Sequence, residues 1–197
     1  MEQRAFDVTD LELRTEEGGK QKLSGYFIEW DKLSNPILGY FQEKFSRGAF
    51  KNLDSDIRAL WHHDTKQVLG RAKNGTLTIT EDERGARFEI IPDSEISWHR
   101  DAIRSIKRGD VSEMSFMFQS HQEEWDDSSE MSVRTILEAD LYEISPVTWA
   151  AYPTTNVDVR SAKDVYQSRS TKRGLTSVGL YRKRLELISR EVIDECQ

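Results

Sequence analysis

"TILEADLYEISPVTW", residues 135–149, sits within a long extended run from Met131 to Thr148 and decides how the chain is read. Leu137, Ala139, Leu141, Glu143, Ser145 and Val147 share one parity, while Glu138, Asp140, Tyr142 and Ile144 share the other. Side chains of a strand alternate between its two faces, so each parity is one row. If the first row faces the core, Glu143 is a carboxylate among apolar neighbours. A buried carboxylate without a partner is costly, so something must neutralise it or hydrogen-bond to it. A histidine N–H serves that purpose; an arginine is the structural alternative.

Two other stretches supply groups of the right kind. In "VSEMSFMFQ" (Val111–Gln119), Met114, Phe116 and Phe118 point one way, and Ser115 stands on the other side. Taken alone, this segment favours a hydrogen-bonded core serine over a nucleophile. In "LWHHD", read as a strand, His62 falls with Leu60 and Asp64, and His63 with Trp61 and Thr65. One histidine faces inward, but parity does not say which, and a lone inward histidine is more commonly structural. Together, serine, histidine and carboxylate on three separate strands are the parts of an acyl-transfer site. The hydroxyl needs a base to take its proton, imidazole does so near neutral pH, and the carboxylate orients the imidazole. Ser115 lacks a G-x-S-x-G elbow, which disfavours an α/β-hydrolase.

Outward from these stretches, "KLSGYFIEW" (Lys22–Trp30) reads as a strand, and Ser46 is a candidate cap for a short helix carrying Phe50 and Leu53. Two alternating runs around "EDERG" predict a hairpin. Helical spacing of Ile96, Ala102, Ile103 and Ile106 predicts a helix capped by Asp93 or Ser94 and stopped by Gly109. The strand that follows runs to about Ser120, and "EEWDDSSE" reads as a turn. Gly70 and Gly75 read as turn glycines, Arg71 is a candidate substrate contact, and Trp61 reads as core packing. The expected fold is mainly β with helices: mostly antiparallel strands closed as a barrel, with helices outside. Residues 161–177 read as a polar linker, and Leu180 to Ile193 as an amphipathic terminal helix with Tyr181, Leu185, Ile188 and Val192 on one face.

Composition narrows the function. A chain of 197 residues suits one domain with an appendage. Its net charge of −7 argues against a general nucleic-acid binder, and no apolar run is long enough to span a bilayer. "MEQRAFDVTD" lacks a signal-peptide core, and the single cysteine, Cys196, excludes an internal disulfide. Residues 160–197 hold nine Lys/Arg against five Asp/Glu, a basic tail on an acidic body.

At this point the chain resembles the prohead maturation proteases of tailed bacteriophages, distant relatives of herpesvirus assemblin. The landmarks run in order from about Leu23 to Arg160: "FSRGAF", "ALWHHDTKQVLGRAKNGTLTITEDERGARFE", "IKRGDVSEMSFMF" and "LYEISPVTWAAYPTTNVDVR". The resemblance implies an assemblin-like closed β-barrel surrounded by helices, with a peptidase domain at 1–160 and a tail at 161–197. It also implies a serine endopeptidase without cofactor or metal. His63 falls on the family's histidine, directly before the aspartate and upstream of "LGR", and Ser115 falls on its nucleophile. Glu143 stands where the herpesvirus relatives use a second histidine. Their arginine pair near the oxyanion has no match here. The implied partners are scaffolding protein or the major capsid protein precursor, cleaved inside the immature shell in the host cytoplasm. Self-trimming and a homodimer are implied as well; nucleic acid and membrane are not.

Two alternatives stand beside the peptidase. A non-catalytic assembly module with the same fold would use Ser115 and His63 as core residues. A metal hydrolase would draw on His62, His63, Asp64, His99 and His121. Adjacent strand histidines point oppositely, however, no H-E-x-x-H spacing exists, and His99 and His121 read as solvated.

Overall fold

The computed structural model describes residues 1–6, 11–15, 21–37, 39–149 and 163–168. Ten strands and one helix of three turns make up most of it, in the order β1 (Glu2–Phe6), β2 (Glu12–Thr15), β3 (Gln21–Glu29), β4 (Phe41–Phe45), β5 (Arg58–Trp61), β6 (Asp64–Arg71), β7 (Leu77–Glu81), β8 (Gly85–Ile90), α1 (Ser97–Arg108), β9 (Glu113–Asp126) and β10 (Ser132–Val147). The mainly β class with helices holds. The described strands pair as two sheets: β1-β9-β10-β5-β6 with β4 also on β10, and β2-β3-β8-β7.

One core serves both sheets. Leu23, Phe27, Ile28, Phe88 and Ile90 from the smaller sheet are buried with Phe45, Phe116, Phe118, Ile136, Leu141 and Ile144 from the larger. Phe45 makes edge-to-face contacts with Phe116 and Phe118 at centroid separations of 5.6 and 5.0 Å, and Phe27 meets Phe116 at 5.5 Å. Each such pair adds about 0.5–1.5 kcal/mol beyond simple burial.

The expected β7–β8 hairpin forms, and Gly85 is required where it starts. A Cβ there would lie 2.0 Å from the Ile28 carbonyl oxygen on β3. Helix α1 ends as expected on Gly109, whose φ of 82° gives the left-handed cap glycine tolerates. Its start differs: the cap position is Ile96, and the Asp93 carboxylate binds the Glu95 N–H instead. His99 differs too. It is buried, accepting the Asp93 N–H at Nδ1 (2.9 Å) and donating from Nε2 to the Val68 carbonyl (3.2 Å). His121 is exposed and meets Asp140 at 2.9 Å.

Two further expectations give way. No helix forms after Ser46; Phe50 bridges to Ala139 and packs in the core. Strand β9 runs on to Asp126, well past Ser120. The pairing is mostly antiparallel, as expected, but β4 and β5 both pair with β10 in parallel. Residues 41–61 thus accompany β10 along its length, with Ala49 and Lys51 bonded to the Ala139 backbone midway. Of the linker, residues 163–168 form a helical turn whose Tyr166 ring stacks on Phe41 (6.3 Å, 8° between planes). The expected helix from Leu180 to Ile193 lies outside the described residues.

Gly75, at φ 75°, caps the short 3-10 turn at Ala72–Asn74. Gly70 lies inside β6, where a Cβ would come within 2.7 Å of the Thr76 carbonyl. Arg71 is committed to Asp56, and its hydrogen bond holds that carboxyl down at about 2. Trp61 is partly buried against the core.

Candidate active site

Strand β10 is 16 residues long and irregular, and its irregularity builds the site. Leu141 lies opposite Phe118, Glu143 opposite Met117, and Ile144 opposite Phe116, so the register shifts at Tyr142. A bulge of this kind reverses which residues face which side. Leu141 and Ile144 both enter the core, although only three residues apart. Glu143 and Ser145 therefore leave the row of Ala139 and Leu141 that sequence parity assigned them. They fall on the opposite side of the sheet, with their cross-strand partners Met117 and Ser115.

The two histidines are not on a strand. β5 ends at Trp61 and β6 begins at Asp64, with Trp61 and Asp64 paired across the hairpin. His62 and His63 are the two turn residues, at φ 51° and 61°. Positive φ at both central positions is the type I′ signature, where Asn-Gly is the usual choice and a bulky side chain is strained. The strain is met by docking on β10: the His62 N–H donates to the Pro146 carbonyl (3.2 Å), and the His63 N–H to Ser145 Oγ (3.2 Å). His62 itself is exposed.

This turn delivers the His63 ring to Glu143, with 2.6 Å between Nδ1 and Oε1. The carboxylate only accepts, so Nδ1 carries the proton and the neutral ring presents a bare Nε2. The second carboxylate oxygen, Oε2, accepts the Ser145 hydroxyl at 2.6 Å. Glu143 is 5% exposed, and these two donors meet the need its burial creates. Nε2 of His63 is buried and, among the described residues, without a hydrogen-bond partner.

Ser115 occupies the rung beside this cluster, directly opposite Ser145 on β10 and Ala5 on β1. It is 1% exposed, and its hydroxyl donates to the Arg4 carbonyl at 3.0 Å. The structure thus joins His63 to Glu143 directly and sets Ser115 one strand away, with the serine–histidine bond unmade. Ser145 and the Arg4 carbonyl carried no role in the sequence reading. The E-x-S spacing already places Glu143 and Ser145 on one strand face; nothing local marks Arg4. Among the described residues, no group of three His, Cys, Asp or Glu side chains is placed to hold a metal ion.

The chain matches the profile of the caudovirus prohead serine proteases over residues 9–169, and it belongs to that family. Membership implies a part in prohead maturation, and so a protein that works within the phage prohead in the host cell. No curated protein and no solved structure matches. Among the described residues, no helix is long and apolar enough to cross a membrane.

Proposed function

We propose that the chain is a serine endopeptidase in which Ser115 is the nucleophile, His63 the general base and acid, and Glu143 the group that orients His63. The observation that carries this is the His63 ring: Nδ1 is held by a buried carboxylate, and Nε2 is buried and unpartnered. That is the tautomer a general base requires. In the reaction, the Ser115 hydroxyl turns from the Arg4 carbonyl to Nε2. Its oxygen attacks the scissile carbonyl as Nε2 takes the proton, and Glu143 stabilises the imidazolium. Nε2 then protonates the leaving amine, and water repeats the sequence to release the acyl group.

The substrate in this reading is scaffolding protein or the scaffold-like region of the capsid protein, with the chain trimming itself as well. The peptidase unit spans 1–160, and the basic tail from 161 presents a cleavable peptide or docks on scaffold or shell. A homodimer belongs to the same proposal. So does an assemblin-like barrel, which the single core shared by both sheets supports.

The burial of Ser115 and its bond to Arg4 favour one rival, a non-catalytic assembly module. Co-expression with the capsid or scaffold precursor separates the two. Wild type is expected to cleave the precursor or itself, and Ser115→Ala to leave both whole; intact products from both would establish the rival. In the same assay, a chain ending after residue 168, which keeps Tyr166 on Phe41, is expected to cleave but not to be packaged.

A further inference from the structure

We propose that Ser145 is a positioning residue of this site: it fixes the Glu143 carboxylate and the His63 turn with one hydroxyl, while Ser115 does the chemistry. The proposal rests on the peptidase reading above and adds a part to it. Three contacts carry it. The Ser145 hydroxyl donates to Glu143 Oε2 at 2.6 Å. Its oxygen accepts the His63 backbone N–H at 3.2 Å. Its Cα stands opposite that of Ser115 in the β9–β10 ladder. One fully buried side chain therefore touches both ends of the His63–Glu143 pair and sits on the same rung as the nucleophile.

The need for such a residue follows from the local geometry. A glutamate carboxylate turns about its last bond, and that rotation is broad. With Oε2 held by Ser145, the carboxylate plane is set and Oε1 stays on Nδ1. The histidine also sits in a two-residue turn with φ 61° and no glycine, a conformation that persists only when the surroundings impose it. The bond from the His63 N–H to Ser145 is part of that imposition. The Pro146 carbonyl, which accepts the His62 N–H, supplies the neighbouring part.

Ser145 is badly placed to be a second nucleophile. Its proton is given to Glu143, and a lone pair is engaged by backbone. Nε2 of His63, the atom that would have to activate it, has no hydrogen bond to it. The Ser115 hydroxyl, by contrast, donates to a neutral backbone carbonyl rather than to a carboxylate.

Two measurements test the assignment. In steady-state cleavage of a peptide substrate, Ser145→Ala is expected to lower kcat about 10- to 100-fold, as for loss of a hydrogen bond to a charged group, with KM within about twofold. Ser145→Thr, which keeps the hydroxyl, is expected to recover most of kcat. The second measurement needs no turnover: the low-field proton resonance of the His63 Nδ1–H···Glu143 bond, recorded in a Ser115→Ala background. It is expected to be present in Ser115→Ala alone, to be broadened or lost on adding Ser145→Ala, and to return with Ser145→Thr. An unchanged kcat, a change confined to KM, or a resonance indifferent to Ser145→Ala would overturn the proposal. An inactive wild type would count against the peptidase reading, and the resonance would still decide whether Ser145 holds the pair.

Discussion

The two ends of β10 each bury charge, and they treat it oppositely. Near its start, Arg134 is 2% exposed and its guanidinium meets Glu43 (2.7 Å), Glu2 (2.6 and 2.9 Å) and Glu123 (2.5 and 2.9 Å). Arg4 closes the cluster by donating to Glu43 at 2.9 Å and to Glu2 at 2.7 Å. Burial disfavours the Arg134 cation, yet the three surrounding carboxylates outweigh it and move its pKa up. Near the end of the strand, Glu143 is equally well served, but the histidine it holds keeps Nε2 unpaired. Among the described residues, it is the one buried side-chain nitrogen or oxygen without a hydrogen bond. A saturated cluster has nothing left to offer a substrate; an orphaned imidazole nitrogen has. The contrast separates a structural clamp from a reactive group on a single strand.

The clamp is where the largest loss of stability is expected. Arg134→Ala leaves Glu2, Glu43 and Glu123 without their shared cation, and breaking a buried ion cluster in this way costs about 3–5 kcal/mol. Denaturant unfolding measures it directly. A loss under about 1 kcal/mol would mean that water reaches the three carboxylates, and the contrast with Glu143 would then weaken. Since Glu2 and Arg4 lie on β1, the same variant is expected to loosen the strand that pairs beside Ser115 and accepts its hydroxyl.

A smaller effect separates His63 from the other inward histidine. His99 uses both ring nitrogens, and burial holds its pKa below the ordinary 6.5, the Val68 carbonyl and nearby Asp93 only partly opposing this. In this window the unfolded chain binds the proton more readily than the fold. His99 therefore contributes stability that is complete above pH 6.5 and is lost as pH falls through the lower folded-state value. Unfolding midpoints taken from pH 7.5 downward are expected to fall in wild type and to fall less steeply in His99→Gln. Parallel curves would show that His99 does not titrate with folding.

Much of this arrangement was legible in the sequence, and the remainder failed for identifiable reasons. The β7–β8 hairpin, the β3 strand and the body of α1 carry their own periodicity and stop signals. Alternation singled out Ser115 and Glu143 and left His62 and His63 open; family resemblance chose His63 and gave the roles, and the structure sets His63 on Glu143. What local pattern could not give was geometry set by distant pairing. The bulge at Tyr142 has no sequence mark, yet it moves Glu143 and Ser145 off the face that alternation predicts. The "HH" pair reads as strand, because its left-handed turn is imposed by docking on Ser145 and Pro146 rather than by glycine. The parallel run of residues 41–61 along β10 and the clamp of Arg4, Glu43 and Arg134 join segments far apart in the chain. Their carboxylates and guanidiniums look like surface charges until the fold brings them together.

The most direct test is chemical. A serine-reactive phosphonate is incubated with the folded chain, and the adduct is mapped by peptide mass spectrometry. The account predicts one adduct, on Ser115, that fails to form in His63→Ala. An adduct on Ser145, or labelling of Ser115 that persists without His63, would contradict it.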